Sequence, residues 1–297
     1  MFNWDDLRIF LAAARRRSYQ EAGAQAGLDP TTVGRRIARL ETALRCTLLA
    51  RRPGGLALTA AGQRLFEAAS GIEAATEAIG EVLGSESGFG VVRVSASEGF
   101  GTSILAPALP ALSAQRPRLA VEMVANPGFY SPATREVDLA ITLAPPSDVR
   151  LAVEHLTDYR LGLYAAAAYL ETAGSPDAPA DLKDHRLVGY IDDLLFTPEL
   201  RYLDEAHPGL HAQLTSSSIR AQLEIVANGG GIAILPTFLV GRATRPLVPV
   251  LAESVSFTRS FWISARRDVR ETARVRTVYQ WIKEVVKRDK PQLLGLE

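Results

Sequence analysis

The sequence predicts an α/β protein with an all-helical, winged head at its N-terminal end, and three observations carry that expectation. Residues 1–60 read as short capped helices and hold all of the chain's excess positive charge. Residues 60–84 repeat apolar side chains at helical spacing without a break. From Val91 onward, β-branched runs alternate with helical stretches, the pattern of an α/β layer structure with largely parallel pairing.

Composition frames these elements. With 297 residues, 47% hydrophobic and 22% charged, the chain is long enough for two or three domains with their own cores. Cys46 is the single cysteine, which leaves no internal disulfide and suits a reducing compartment. The opening MFNWDDLRIF lacks the basic-then-apolar form of a signal peptide, and no stretch has the length of a membrane span. A cytoplasmic location is therefore the expectation. The formal charge is zero, yet residues 1–60 carry ten arginines against five acids. A basic head on an acidic body points to a polyanion as partner of the head alone.

Within the head, Leu7, Phe10, Leu11 and Ala14 give the first helix an apolar face, and Arg15, Arg16 and Arg17 suit its C-terminal end. Ser18 and Glu21 have the S-x-x-E spacing of a capping box, so a second helix should run to about Ala26 and stop at Gly27. Asp29 can cap a third helix with Pro30 at its first position. The second and third helices are then joined by a short glycine-containing turn, the helix-turn-helix arrangement.

The third helix, in LDPTTVGRRIARLETAL, has two unlike faces. At about 100° per residue, Val33, Ile37, Leu40 and Leu44 gather within roughly 60°, and Thr32, Arg35, Arg36 and Arg39 lie opposite. Such a helix fits a major groove, where arginines reach guanine edges or phosphates. Beyond it, short apolar runs flank the turn at Arg51 and Arg52, a two-stranded wing with basic residues near its tip. Double-stranded DNA is the partner these features select, with Ser18, Thr31, Thr32, Arg35, Arg36, Arg39, Arg51 and Arg52 as the candidate contacts. The plain alternative is that the arginines merely solvate a surface helix. Agreement among the caps, the turn, the wing and the charge asymmetry argues against it.

In residues 60–84, Leu65, Ala68, Ile72, Ala75, Ile79 and Val82 form a seam with 3-4 spacing. A helix of about 24 residues spans roughly 36 Å, and its small alanines allow close helix approach. This reads as a dimerisation helix; packing of the seam on its own chain is the alternative. GSESGFG, residues 84–90, is a linker by composition.

In the body, VVRVSA, LAVEMVA, DLAIT, RLGLYA, RLVGYI, HAQLT and IAILP are strand candidates. Parallel sheets bind ligands beyond the carboxyl ends of their strands. The turn after the first strand places Ser97, Thr102 and Ser103 at a helix start able to receive an anion such as a carboxylate. Ser216, Ser217 and Ser218 open a second such helix. Hydroxyls at helix starts also serve simply as caps, and that alternative stays open at both places.

Features that signal catalysis are weak. Cys46 lies between Leu44 and Leu48 as a small hydrophobe. His155, His185, His207 and His211 lack metal-ligand spacing, and Asp192-Asp193 is a loop pair of the solvated kind. The Gly229-Gly230-Gly231 triplet follows a helix and precedes a strand, the reverse order of a phosphate loop, so it reads as a helix stop. No catalytic residue, metal or cofactor is expected. Three classes of function remain: an effector-responsive transcription factor, a DNA-binding protein with an enzymatic α/β body, and an architectural DNA protein without an effector.

Residues 1–60 resemble the winged helix-turn-helix of LysR-type transcriptional regulators. The resemblance rests on Phe10, Ala14, Ser18, Ala22, Ala24, Leu28, Val33, Arg35, Ile37, Leu40-Glu41, Leu44, Leu48, Arg51-Arg52, Leu58-Thr59 and Gly62. EVDLAIT, LGLYAAAAYL and GGGIAILP extend it through the body. It implies a DNA-binding head (1–59), a linker and dimerisation helix (60–84), and a two-lobed effector domain (91–297) resembling periplasmic binding proteins. By that pattern the first lobe spans about 91–160 and 268–297, and the second about 161–267. It further implies a small-molecule effector between the lobes and a homodimer or homotetramer built as a dimer of dimers. The chain departs from the family's usual Ser-Gln-Pro at Asp29-Pro30-Thr31, and from its usual serine at Gly34.

Overall fold

The computed structural model describes residues 2–53, 55–82, 90–125, 130–134 and 136–296. It divides the chain into two compact units, Met1–Glu86 and Ser87–Glu297. Six of the seven residues of the linker sequence, 84–89, lie outside the described residues, as does the wing-tip Gly54.

In the first unit, α1 (Trp4–Arg16), α2 (Tyr19–Ala26) and α3 (Pro30–Leu44) precede a hairpin of β1 (Leu49–Arg52) and β2 (Gly55–Leu58), and α4 (Ala60–Val82) follows. Local chemistry sets each boundary. Asn3 caps α1 by accepting the Asp5 N–H at 2.8 Å. Ser18 caps α2 through the Glu21 N–H at 3.3 Å, and Gly27 ends that helix in the left-handed region at φ 66°, where a side chain would be strained. Asp29 caps α3 with Pro30 in the first turn. Leu7, Phe10, Leu11, Val33, Ile37, Leu40, Leu48 and Phe66 close the core, each at most 4% exposed. Cys46 is half-buried against the same core. A Cβ on Gly62 would stand 2.0 Å from the Leu48 carbonyl oxygen, so only glycine lets α4 approach the base of the wing.

The second unit is built on one sheet in the order β4-β3-β5-β11-β6-β9-β7-β8, with β10 also paired to β6. Its strands are β3 (Gly90–Ala96), β4 (Leu119–Ala125), β5 (Leu139–Thr142), β6 (Leu151–Ala166), β7 (Leu187–Gly189), β8 (Leu214–Thr215), β9 (Ile232–Pro236), β10 (Leu247–Val250) and β11 (Ser256–Arg266). The helices around it are α5 (Glu98–Phe100), α6 (Ala106–Gln115), α7 (Ala167–Ala173), α8 (Tyr202–Ala206), α9 (Ile219–Ala227), α10 (Thr237–Val240), α11 (Arg267–Arg270), α12 (Ala273–Arg288) and α13 (Lys290–Leu294). A π-helical segment, Gly101–Leu105, joins α5 to α6. Gly229 and Gly231 stand in the turn between α9 and β9, as a helix stop requires. Among the described residues no helix is long and apolar enough to cross a membrane.

Parallel pairing dominates only the flanks. β3 pairs parallel with β4 and β5, and β7 parallel with β8 and β9, whereas β6 and β11 run antiparallel to each other and to their other neighbours. The expectation of a largely parallel sheet is corrected here: two parallel flanks are sewn together by a long antiparallel centre. The sequence pattern did not reveal β10, β11 or the first half of β6. Glu154, His155 and Asp158 interrupt the alternation in β6, because that part of the strand is incompletely covered.

The same two strands locate the crossings between halves. β6 pairs with β9 only from Leu161 onward, close to the expected boundary. The return comes earlier than the expected position near Asp268, inside β11, where the register shifts between Phe261 and Trp262 and pairing with β5 begins. The chain's end also departs from expectation. α12 packs on β3, but α13 turns back to α10, where the Leu293 carbonyl accepts from the Thr237 hydroxyl at 3.3 Å.

Candidate DNA-binding surface and effector cleft

The N-terminal end of α3 is organised by Asp29. Its Oδ1 accepts the backbone N–H groups of Thr31 and Thr32 at 2.9 and 3.0 Å. It also receives the Thr31 hydroxyl, and its Oδ2 receives the Thr32 hydroxyl at 2.6 Å. These hydroxyl and backbone donors, Thr31's hydroxyl foremost, hold the Asp29 carboxyl well below the usual carboxylate range. Thr31 and Thr32 were expected to offer donors to DNA. Both hydroxyl protons are committed to Asp29 instead, because its carboxylate, two residues before Thr31 and three before Thr32, is within hydrogen-bond reach of both.

The three arginines of α3 also separate. Arg35 is exposed on the face away from Val33, Ile37 and Leu40, and Arg36 is half-buried at the flank of that stripe. Arg39 is different. Its Nε and Nη2 donate to the two carboxylate oxygens of Asp6 at 2.6 and 2.5 Å, a fork-to-fork pair joining α3 to α1. Arg39 therefore braces the head, while its side chain stays 60% exposed on the surface of α3. Asp6 gave no warning in the sequence, where it reads as first-turn acid of α1.

On the wing, Arg51 and Arg52 are exposed at the end of β1, opposite Leu56 and Gly55. The hairpin is anchored at both ends. Leu56 N–H donates to the Arg17 carbonyl at 2.8 Å. Glu41, on α3, accepts the N–H groups of Leu48 and Leu49 at 2.6 and 3.2 Å. Ser18, a candidate contact, stands at the start of α2 as its cap. Arg35, Arg36, Arg51 and Arg52 are exposed or half-exposed candidate cations, and Arg39 is exposed but already paired to Asp6.

Along α4 the expected seam is divided. Phe66 and Ala69 are buried in the head core and Leu65 packs partly against it, while Ala68 is exposed and Ile72 is 48% exposed. Leu65 is thus shared with its own chain. The side chains of Ala75, Ile79 and Val82 lie outside the described residues.

In the second unit the two hydroxyl-bearing helix starts meet. Ser97 and Glu98 on one side, and Ser217 and Ile219 on the other, line a cavity of about 40 Å³ walled by Phe100, Tyr159, Tyr202, Phe238 and Phe261. Ser218 links the two sides: its hydroxyl donates to Glu98 Oε1 at 2.8 Å while accepting the Ala221 N–H at 3.1 Å. Glu98 Oε2 is buried without a hydrogen-bond partner. Burial pushes the Tyr159 and Tyr190 phenols well above their ordinary range and Tyr202 up to about 12, so all three stay protonated.

The six candidate serines and threonines fare unequally. Ser97 and Ser217 line the cavity, and Ser218 reaches its edge through Glu98. Ser216 accepts the Ser218 N–H at 3.1 Å, a turn contact. Thr102 is exposed and bends its hydroxyl back to the Glu98 carbonyl at 2.7 Å, so its donor is spent within the helix. Ser103 is buried, its hydroxyl lacks a partner, and it is not among the lining residues. The helix start that was expected to receive a carboxylate carries one of its own, Glu98. Reading hydroxyls alone passed over that acid, although it directly follows Ser97.

Comparison with known proteins agrees with this two-part organisation. Residues 4–63 match the model of the bacterial regulatory helix-turn-helix protein, lysR family, and residues 85–287 match the LysR substrate binding domain. The chain is 28% identical over 284 residues to the Mau operon transcriptional activator of Paracoccus denitrificans, covering 94% of this chain and 95% of that one. It is 28% identical over 259 residues to the HTH-type transcriptional regulator CrgA of Neisseria meningitidis serogroup C, covering 86% and 87%. The solved structure of CrgA from Neisseria meningitidis superposes with a TM-score of 0.59 at 26% identity, over 96% of this chain and 99% of that one. A full-length OxyR variant from Pseudomonas aeruginosa shares the fold at a TM-score of 0.75 and 18% identity, over 97% and 95%. With both halves matched in order along one chain, this protein belongs to the LysR family of DNA-binding transcriptional regulators.

Proposed function

We propose that the protein binds a promoter through the outer face of α3 and the wing, and that a small molecule held beside Ser97, Glu98 and Ser217 modulates that binding. The observation that carries the DNA half is the division of the arginines. Arg35 and Arg36 are left outward by a helix whose apolar stripe is sealed, and Arg51 and Arg52 extend the basic surface from the wing. DNA affinity of this kind comes from phosphate neutralisation, and base preference from a few bidentate contacts. For the effector half, the support is a cavity where two distant helix starts converge within one unit.

Family membership favours ligand-controlled binding over turnover, and we read the body as non-enzymatic. Exposed Ala68 and Ile72 on α4 support self-association, as a homodimer or a dimer of dimers. A promoter as partner supports a cytoplasmic location. Sequencing the genomic fragments that the purified chain retains tests the reading directly. Recovery of one promoter-proximal site, bound in a salt-dependent manner, is expected; retention of fragments without sequence preference would instead indicate an architectural protein.

A further inference from the structure

We propose that the cleft is selective for an organic cation, a protonated amine carried on an apolar or aromatic group, with Glu98 as the selecting residue. The proposal rests on the reading of that cleft as the effector site and specifies its ligand class. Among the described residues lining the smaller cavity, Glu98 is the charged one. Ser218 satisfies its Oε1 at 2.8 Å, and Oε2 is buried with no partner. A buried carboxylate oxygen without a donor is destabilising until one arrives. A ligand ammonium supplies donor and countercharge together; a ligand carboxylate would add a second negative charge beside the first.

The surroundings favour the same ligand. Phe100, Tyr159, Phe238 and Phe261 present aromatic surface to the cavity, and ring faces attract cations. A larger cavity of about 520 Å³ shares Tyr190, Leu200 and Tyr202 with the first. Its charged side chains are Asp192, Asp193 and Asp204 against Arg201, an acidic balance. Arg259, the cation that acts on Tyr159 and Tyr202, is itself paired to Glu205. The smaller space of about 40 Å³ exceeds the roughly 10–15 Å³ that one water needs on the same measure, so it accommodates a group of about that size. An ammonium head is of that size, and Tyr190, Leu200 and Tyr202, which line both cavities, are the side chains an apolar remainder would have to pass to reach the larger space.

Three probes of nearly equal shape separate charge from fit: phenethylamine, phenylethanol and phenylacetate, titrated by calorimetry into the full-length protein. The amine is expected to bind about tenfold or more tighter than the alcohol, or about 1.4 kcal/mol, with the acid weakest. Glu98→Gln keeps the shape and an acceptor for Ser218, and should bring the amine down to the alcohol. Phenylacetate binding as well as the amine, an amine preference unchanged in Glu98→Gln, or no binding by any probe would each overturn the proposal. The wild-type comparison needs no variant to fold. Ser217→Phe, which fills the cleft, tests the reading beneath: loss of whichever probe binds supports the cleft as the site. Retained amine binding would place the ligand elsewhere and overturn both.

Discussion

Arg39 and Asp6, 33 residues apart, are joined by two parallel hydrogen bonds, and Asp6 is 1% exposed where Arg39 is 60% exposed. The arginine reaches from solvent to cover a carboxylate lodged against the head core. Its removal leaves that carboxylate without its partner, a loss worth about 1–3 kcal/mol. Arg39→Ala should therefore lower the head's stability in urea titration, whereas Arg35→Ala and Arg36→Ala should leave it unchanged and each cost about 1–3 kcal/mol in specific DNA binding by gel shift. The opposite pattern, a stable Arg39→Ala that fails only on DNA, would return Arg39 to the groove.

Glu41 ties the last turns of α3 to the base of the wing by accepting two backbone N–H groups, those of Leu48 and Leu49. Bonds to a charged acceptor are worth about 1.5–3 kcal/mol. Glu41→Ala should destabilise the head by that order and raise amide exchange at Leu48 and Leu49 above that elsewhere in the core. Unaltered protection at both amides would show that the wing is held by its hairpin alone.

Acid should loosen the start of α3 through Asp29. Its folded-state pKa is depressed by the hydroxyl and backbone donors of Thr31 and Thr32. The stabilisation is then complete above the unfolded value of about 3.9 and disappears as pH falls through the lower folded value. Asp29→Asn keeps a capping oxygen without the charge, so its melting profile should be flatter below pH about 4. Parallel profiles for wild type and variant would remove the linkage.

Ile72 is the large apolar residue of the two exposed seam positions that the structure describes, Ala68 and Ile72, at 48% exposure. If partners meet along that face, Ile72→Glu buries an unpaired charge between them, at a cost of about 3–5 kcal/mol. Light scattering should then report a smaller particle for the variant. An unchanged mass would place the subunit contact on another surface.

What the sequence determined by itself was local. Asn3 aside, the head's helix boundaries followed from residues within four positions of the ends they set: Ser18 with Glu21, Gly27, and Asp29 with Pro30. Short-range hydrogen bonds and helical periodicity are written in order along the chain, so these elements and the two faces of α3 could be read directly. Tertiary structure decided which of the charged and polar side chains were already occupied. Asp6 claims Arg39 from 33 residues away, and Ser218 meets Glu98 across 120. It also decided the antiparallel centre of the sheet, where β6 and β11 carry polar residues through a partly covered stretch and therefore lack the alternation that marks a strand. A side chain's free donor or acceptor is a property of whatever folding brings beside it. For that reason the arginines of α3 read alike in sequence yet differ in the folded head, and an acid at a helix start passed unnoticed until its partner arrived from the other side of the cleft.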